Sequence, residues 1–288
     1  MSIGSAFLLG IVQGIAEFLP ISSSGHLSVL QNLFGSAAPG EGHMFFDVLL
    51  HLGTLISICI MFWSDIIDMA REVLSYFGTM LLRAPANNRG AEKKPIYERN
   101  LAAGRLFFMI VMATIPLFFI VTLNDSIEKL YYKTTFIGVS FLLTGAMLFV
   151  ADKMKPGIKT EKSMTVTDAL IIGLCQAVAT IPGLSRSGTT ITAGIATGLE
   201  RSFAVKFSFL MSLPAVLGAN LIALIKAAKE GIVWANVPSY FVGMFTATIA
   251  GIFAISLMKY ISKKSKFGYF AYYCIGAGVL TIVLSLVF

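Results

Sequence analysis

The chain has 288 residues, 56% of them hydrophobic and only 13% charged, where a soluble domain carries about 25% charged side chains. It lacks the polar material to coat a soluble fold of this length, so composition points to the bilayer as its solvent. The net charge of +7 does not point to nucleic acid, because Lys and Arg sit in short gaps between apolar blocks rather than on one face or in one tail.

The first apolar region, 3–34, is cut near its middle by the turn Pro20-Ile21-Ser22-Ser23-Ser24-Gly25. As a helix, the arm Ile3–Phe18 would be about 24 Å long at 1.5 Å per residue, short of the roughly 30 Å hydrocarbon core. Polar irregular backbone survives at that depth only inside protein or beside a water-filled cavity. The region therefore reads as a re-entrant hairpin with a buried polar tip. Met1–Pro20 holds no Lys or Arg, so it lacks the basic start of a cleaved signal peptide and belongs with the mature fold.

A full span is expected over 45–63, then an amphipathic interfacial helix over 64–82 and a mobile loop over 84–100. Spans over 105–123 and 135–151 follow. The region 168–199 is a second hairpin, broken by Pro182-Gly183-Leu184-Ser185-Arg186-Ser187-Gly188, and spans over 204–225, 240–261 and 268–288 complete the chain. Cys59, Cys175 and Cys274 stand singly in apolar stretches and are expected to pack as small hydrophobes.

The hairpins are copies. Gly10, Gln13, Ser22, Ser24 and Gly25 match Gly173, Gln176, Ser185, Ser187 and Gly188 at one offset (188 − 25 = 163). Three spans follow each hairpin, so the second copy enters the membrane from the opposite side. The expected fold is an all-α polytopic membrane protein of six transmembrane helices and two re-entrant hairpins. It forms one integral domain, 1–288, built as an inverted-topology repeat of 3–151 and 168–288, with its site near the midplane. Charge agrees with that topology. The gaps 64–105, 152–167 and 259–267 are rich in Lys and Arg and read as cytoplasmic, which puts both termini outside.

An ionisable side chain deep in a membrane is a functional candidate. Glu17 belongs to one hairpin and Arg186 to the other. Gln13 and Glu17, four apart, share a helix face leading to the first tip. His26 lies three residues after Ser23 and four after Ser22, a spacing that can set imidazole beside hydroxyl. Each tip also opens a helix, whose first N–H groups attract anions, and Arg186 can clamp a phosphate bidentately. Gly25 and Gly188 would let backbone approach a ligand. Asp47 and His51 could support the site or line a water path. His43 reads as an interfacial loop residue, and Phe107, Phe108, Phe118 and Phe119 as lipid-facing.

Gln13-Gly-Ile-Ala-Glu17-Phe-Leu-Pro-Ile-Ser-Ser-Ser-Gly-His26 and Pro182-Gly-Leu-Ser-Arg-Ser-Gly-Thr-Thr190 resemble the two signature motifs of the undecaprenyl-pyrophosphate phosphatases of the bacitracin-resistance type. The resemblance runs over essentially the whole chain. It implies hydrolysis of a C55 polyprenyl pyrophosphate to the monophosphate, recycling the carrier lipid of peptidoglycan synthesis in the bacterial plasma membrane. It also implies a divalent cation, Mg²⁺ or Ca²⁺, and a cavity open to the outer face. Carried over, Ser23 is the nucleophile, His26 the general base or acid, and Arg186 the pyrophosphate clamp. Glu17 binds the cation or orients His26. Ser22, Ser24, Gly25, Ser185, Ser187, Gly188 and Thr190 surround the phosphates. Gln13, the other expected cation ligand, stands where other members carry a carboxylate. The expected partners are the polyprenyl pyrophosphate and membrane lipids, with room for a homodimer. The rival reading is a lipid flippase or secondary transporter, since inverted repeats with broken helices are typical of carriers.

Overall fold

The computed structural model describes residues 1–34, 43–81, 100–120, 129–230, 234–264 and 266–287. These residues are helical apart from turns and the connection 154–165, which carries one isolated parallel bridge between Lys159 and Leu199. Of the loop expected over 84–100, all but Asn100 lies outside the described residues.

The helices in chain order are α1 (Ile3–Phe18), α2 (Ser23–Phe34), α3 (His43–Met61), α4 (Trp63–Leu81), α5 (Leu101–Thr114) and α6 (Leu117–Ile120). After these come α7 (Thr134–Lys153), α8 (Val166–Val178), α9 (Arg186–Ala196), α10 (Arg201–Glu230), α11 (Val237–Lys264) and α12 (Gly268–Val287). Five helical stretches are long and apolar enough to cross a membrane: Leu101–Ile120, α7, α10, the α11 stretch and α12. A sixth results if α3 and α4, which meet at 81°, count as one. The chain is a multi-pass membrane protein.

Each expected span has a helix, with two differences. Pro116 interrupts the expected span 105–123 and divides it into α5 and α6, since proline removes a backbone donor and crowds the preceding turn. The expected span 204–225 begins at Arg201 and runs on to Glu230, with Pro214 inside it. The stretch expected to lie at the interface, 64–82, is α4, which turns sharply away from α3. The helices of the two tip regions, α1 and α8, are apolar but shorter than a span.

Helices in lipid pack through small residues, which let backbones approach. A Cβ on Gly10 of α1 would lie 2.5 Å from the Gly243 carbonyl oxygen of α11. One on Gly173 of α8 would lie 2.2 Å from the Ala113 carbonyl oxygen of α5. These two matched glycines thus make equivalent close approaches, α1 on α11 and α8 on α5. Gly138 of α7 and Gly278 of α12 face each other's carbonyl oxygens in the same way.

Basic side chains close one end of the bundle. Arg201 donates to the carbonyls of Asp152 (3.2 Å) and Met154 (2.8 Å) at the end of α7, and Lys259 donates to the Met61 carbonyl (3.2 Å) at the end of α3. Lys206 pairs with Asp65 at 2.6 Å. Arg105 donates to the Met164 carbonyl (2.7 Å), and Lys159 pairs with Asp168 at 2.9 Å. Cations on the last carbonyls of a helix satisfy its orphan acceptors and its dipole together.

A close approach is tested by adding a methyl group. Gly173→Ala should lower the melting temperature of the detergent-purified protein by several degrees. Gly276→Ala, where a Cβ meets nothing within 4 Å, should leave it unchanged or raise stability by about 0.5–1 kcal/mol. Equal melting temperatures for the two variants would contradict the α8–α5 contact.

Candidate active site

The break after α1 is built by its own residues. Leu19 leaves the helix in an extended conformation, and Ser22 takes φ +68°, a left-handed conformation that few side chains adopt and that recurs at functional sites. Ser22 Oγ then accepts the Gly25 N–H at 3.2 Å and caps α2. In the second tip Gly183 takes φ +85°, and Ser185 Oγ accepts the Gly188 N–H at 3.1 Å to cap α9. Each capping serine also has a second serine hydroxyl two residues on, Ser24 at 3.4 Å and Ser187 at 3.3 Å. The caps satisfy one orphan donor of each helix. They leave Ser23 and Arg186 as the first helical residues of α2 and α9.

Those two residues meet at Glu17. Arg186 Nη2 donates to Glu17 Oε1 at 2.5 Å, and Ser23 Oγ donates to Glu17 Oε2 at 2.7 Å. Gln13 Nε2 donates to the same Oε2 at 3.1 Å and lies 3.1 Å from His51 Nδ1. Glu17 is 8% exposed. A carboxylate so buried needs its charge matched, and the guanidinium supplies the match.

The cluster opens into a cavity of about 650 Å³. Of the sequence-predicted residues, Glu17, Ser22, Ser23, Ser24, Ser185 and Arg186 line it, and so does His51. Thr180, Asn220 and Lys226 are lining residues that sequence reasoning did not single out, and Gln176 was noticed only as a repeat identity. Leu117, Phe118, Val216 and Ile222 form apolar wall. Phe118, expected to face lipid, is exposed but sits on this wall, while Phe107 and Phe108 are exposed as expected.

Other predicted residues are brought to the tips but turned to other work. Ser187 donates to the Leu19 carbonyl at 3.2 Å, fastening one tip to the other. Thr190 donates to the Arg186 carbonyl at 2.9 Å and lies 2.6 Å from Ser208 Oγ. A Cβ on Gly25 would meet the Phe141 ring at 2.7 Å, and one on Gly188 would crowd Ser185 and Pro20. Both glycines serve packing.

His26 differs most from its expectation. Its Nδ1 lies 2.7 Å from the Ser22 carbonyl oxygen, so Nδ1–H donates there, and Nε2 lies 2.8 Å from the Tyr273 hydroxyl. The ring stacks on Tyr273 with an interplanar angle of 13° and sits 4.9 Å from the Phe141 ring. The four-residue spacing is met by the backbone carbonyl of Ser22, on the side of α2 that faces α7 and α12. Ser23 faces Glu17 instead.

A smaller cavity of about 180 Å³ adjoins the cluster, lined by Gln13, Ser24, Ser28, Asp47, His51 and Tyr131 among others. Gln13 Oε1 is buried with no hydrogen-bond partner. Together with the Glu17 carboxylate it offers oxygen donors that fit a hard divalent cation. No group of three or more His, Cys, Asp or Glu side chains among the described residues forms a complete cage.

Comparison with known proteins covers nearly the whole of this architecture. An undecaprenyl-diphosphatase of Methanosphaera stadtmanae is 38% identical over 292 residues, covering 100% of this chain and 99% of the relative. One of Alkaliphilus metalliredigens is 37% identical over 291 residues, at 99% and 100% coverage. One of Carboxydothermus hydrogenoformans is 36% identical over 283 residues, at 97% and 96%. The match to the bacitracin resistance protein BacA family runs over residues 6–280, from the first helix pair through both serine tips to the last span, and the chain belongs to that family.

Proposed function

We propose that this chain is an integral-membrane hydrolase that converts undecaprenyl pyrophosphate to undecaprenyl phosphate and inorganic phosphate. One observation carries the reading: a serine hydroxyl and an arginine from two separate helix starts meet a carboxylate from the end of α1 in one cavity with an apolar wall. Such a cavity takes a headgroup rich in negative charge at one end and a hydrocarbon chain at the other. The names of the relatives weigh for hydrolysis over the carrier reading.

The architecture behind the site is an inverted repeat, 3–151 and 168–288, whose helix pairs α1–α2 and α8–α9 are re-entrant hairpins. Equivalent contacts support it: α1 packs on α11 as α8 packs on α5, and α3 on α11 as α10 on α5. The two cap hydrogen bonds and the two serine pairs support it as well. Within this repeat Ser23 and Arg186 occupy the same position (186 − 23 = 163). Nucleophile and clamp are the first residues of two matched helices.

In the proposed reaction, the pyrophosphate enters between the starts of α2 and α9, where N–H groups and the hydroxyls of Ser22, Ser24 and Ser185 receive its oxygens. Arg186 neutralises the charge that spreads over the transferred phosphoryl group. Ser23 Oγ attacks the terminal phosphorus as its proton passes to Glu17 Oε2, the acceptor it already faces. The new O–P bond forms as the anhydride P–O bond breaks, and undecaprenyl phosphate leaves with the bridging oxygen. Water then attacks the phosphoserine, giving Ser23 back its hydroxyl and releasing phosphate. His26 holds the first tip by its bond to the Ser22 carbonyl, a positioning role in place of the acid or base role that the resemblance implies. A Mg²⁺ or Ca²⁺ ion held by Gln13 and Glu17 would supply further neutralisation of phosphate charge.

The cavity's long wall is the later part of α10, from Pro214 to Lys226, a rise of about 18 Å at 1.5 Å per residue. The basic belt lies at the opposite end of that helix. With the belt cytoplasmic by the positive-inside rule, the cavity opens on the outer face of the plasma membrane, and both termini lie outside.

Phosphate release by purified protein in detergent tests the chemistry. Arg186→Ala should reduce kcat/KM by roughly 10³- to 10⁵-fold, and Ser23→Ala at least as far; full activity in both would remove the site. Glu17→Gln and His26→Asn separate the two candidate bases. Asparagine can still donate to the Ser22 carbonyl, so the expected loss is roughly 10²- to 10⁴-fold at Glu17 and smaller at His26. A larger loss at His26 would return the base to the imidazole. For topology, single cysteines placed in 84–100 or 259–267 should resist an impermeant thiol reagent on intact cells, and one near Lys129 should react. The reverse pattern would invert the orientation.

A further inference from the structure

Gln176 lies on α8, inside the second helix pair. It is 1% exposed, yet neither its Nε2 nor its Oε1 has a hydrogen-bond partner. It lines the large cavity together with Glu17, Ser185 and Arg186. An amide buried without partners is unfavourable in the folded protein, and replacing it with an apolar group of similar shape would be neutral or stabilising if folding were its only task.

The matched residue in the first copy shows what has changed. Gln13 uses its Nε2 on Glu17, one turn further along α1, and on His51. One turn beyond Gln176 the corresponding residue is Thr180 (180 − 17 = 163), and its hydroxyl donates to the Ala177 carbonyl at 2.8 Å. The second copy thus keeps the amide but has lost the carboxylate that would receive its N–H. The acceptor must come from outside the helix, and the cavity is where Gln176 meets the outside.

We infer that Gln176 is a substrate-binding residue, its Nε2 donating to a non-bridging oxygen of the pyrophosphate across from Arg186. The inference rests on the hydrolase reading for the identity of the ligand. A neutral amide suits the place. It donates to a phosphate oxygen without adding a further side-chain charge beside Glu17 and Arg186.

The test uses the full-length protein in detergent, with wild type, Gln176→Leu and Gln176→Glu compared in two readouts. The first is the kinetics of phosphate release from a polyprenyl pyrophosphate. The second is the rise in melting temperature on adding inorganic pyrophosphate. Gln176→Leu should melt at or above the wild-type temperature without ligand, yet raise KM roughly 10- to 100-fold, the range for one hydrogen bond to a charged group. It should also lose most of the pyrophosphate-induced rise. Gln176→Glu should lose more, since its carboxylate repels the ligand. Gln176→Met reads the same loss in a more adaptable side chain should the leucine variant fail to fold. Wild-type KM and a wild-type pyrophosphate response in Gln176→Leu or Gln176→Met would overturn the inference and leave an amide satisfied by cavity water. If wild type released no phosphate, the hydrolase reading itself would fail. Pyrophosphate binding, compared between wild type and Gln176→Leu, would still decide the role of Gln176.

Discussion

The contact on which the site depends is the ion pair between Glu17 and Arg186. Neither charge is stable alone in an apolar interior, and removing one partner of a buried pair leaves the other uncompensated, at about 3–5 kcal/mol. Because one residue belongs to each helix pair, the same contact fastens the two tips together. Arg186 remains a quarter exposed while Glu17 is nearly enclosed, so the guanidinium is the partner a ligand can reach. A pyrophosphate that takes over Arg186 frees Glu17 Oε1, and Oε2 already receives the Ser23 proton. In the proposed reaction one anion replaces another at the guanidinium, and the proton taken from Ser23 neutralises the carboxylate so released.

The matched positions of the two helix pairs bring two such different residues close together. The pairs α1–α2 and α8–α9 have helix starts with the same serine cap and first helices with the same close glycine contact. The backbone is alike in the two pairs at these points, and the side chains that carry charge differ. Ser23 has Arg186 as its counterpart, Glu17 has Thr180, and Gln13 and Gln176 are alike in sequence but differ in their partners. A symmetric site would have offered two nucleophiles or two clamps. The asymmetric one offers the single nucleophile and single clamp of the proposed reaction.

Much of this was legible in the chain itself. Hydropathy located the spans, because lipid tolerates so few charges, and the tips were visible as the polar interruptions that a lipid-facing helix could not carry. The 64–82 stretch read as an amphipathic helix, and it is helical as far as Leu81. What spacing could not supply was direction. His26 at four residues from Ser22 is compatible with a hydroxyl partner or a carbonyl partner, and only the neighbours Phe141 and Tyr273 decide between them. For Ser187 and Thr190 the motif places the hydroxyl at the tip, but the Leu19 carbonyl and Ser208, both distant in sequence, compete for it. Gln176 was visible as a repeat identity, and its significance lies in partners it lacks. No pattern of residue types can express that.

The position of the basic belt gives the cavity a further constraint. Arg201 and Lys206 stand at the start of α10, where they hold the ends of α7 and α4, and the cavity wall begins at Pro214, more than two turns later. A proline within a helix frees a carbonyl one turn back, and such freed groups in a membrane need polar surroundings or water. The break in regular hydrogen bonding therefore falls where the cavity begins and not within the belt. One end of α10 is locked by cations on helix ends while the other borders a cleft that a lipid headgroup can enter. In the proposed function this division of labour lets one end of the helix stay fixed while the other lines the cleft that admits substrate.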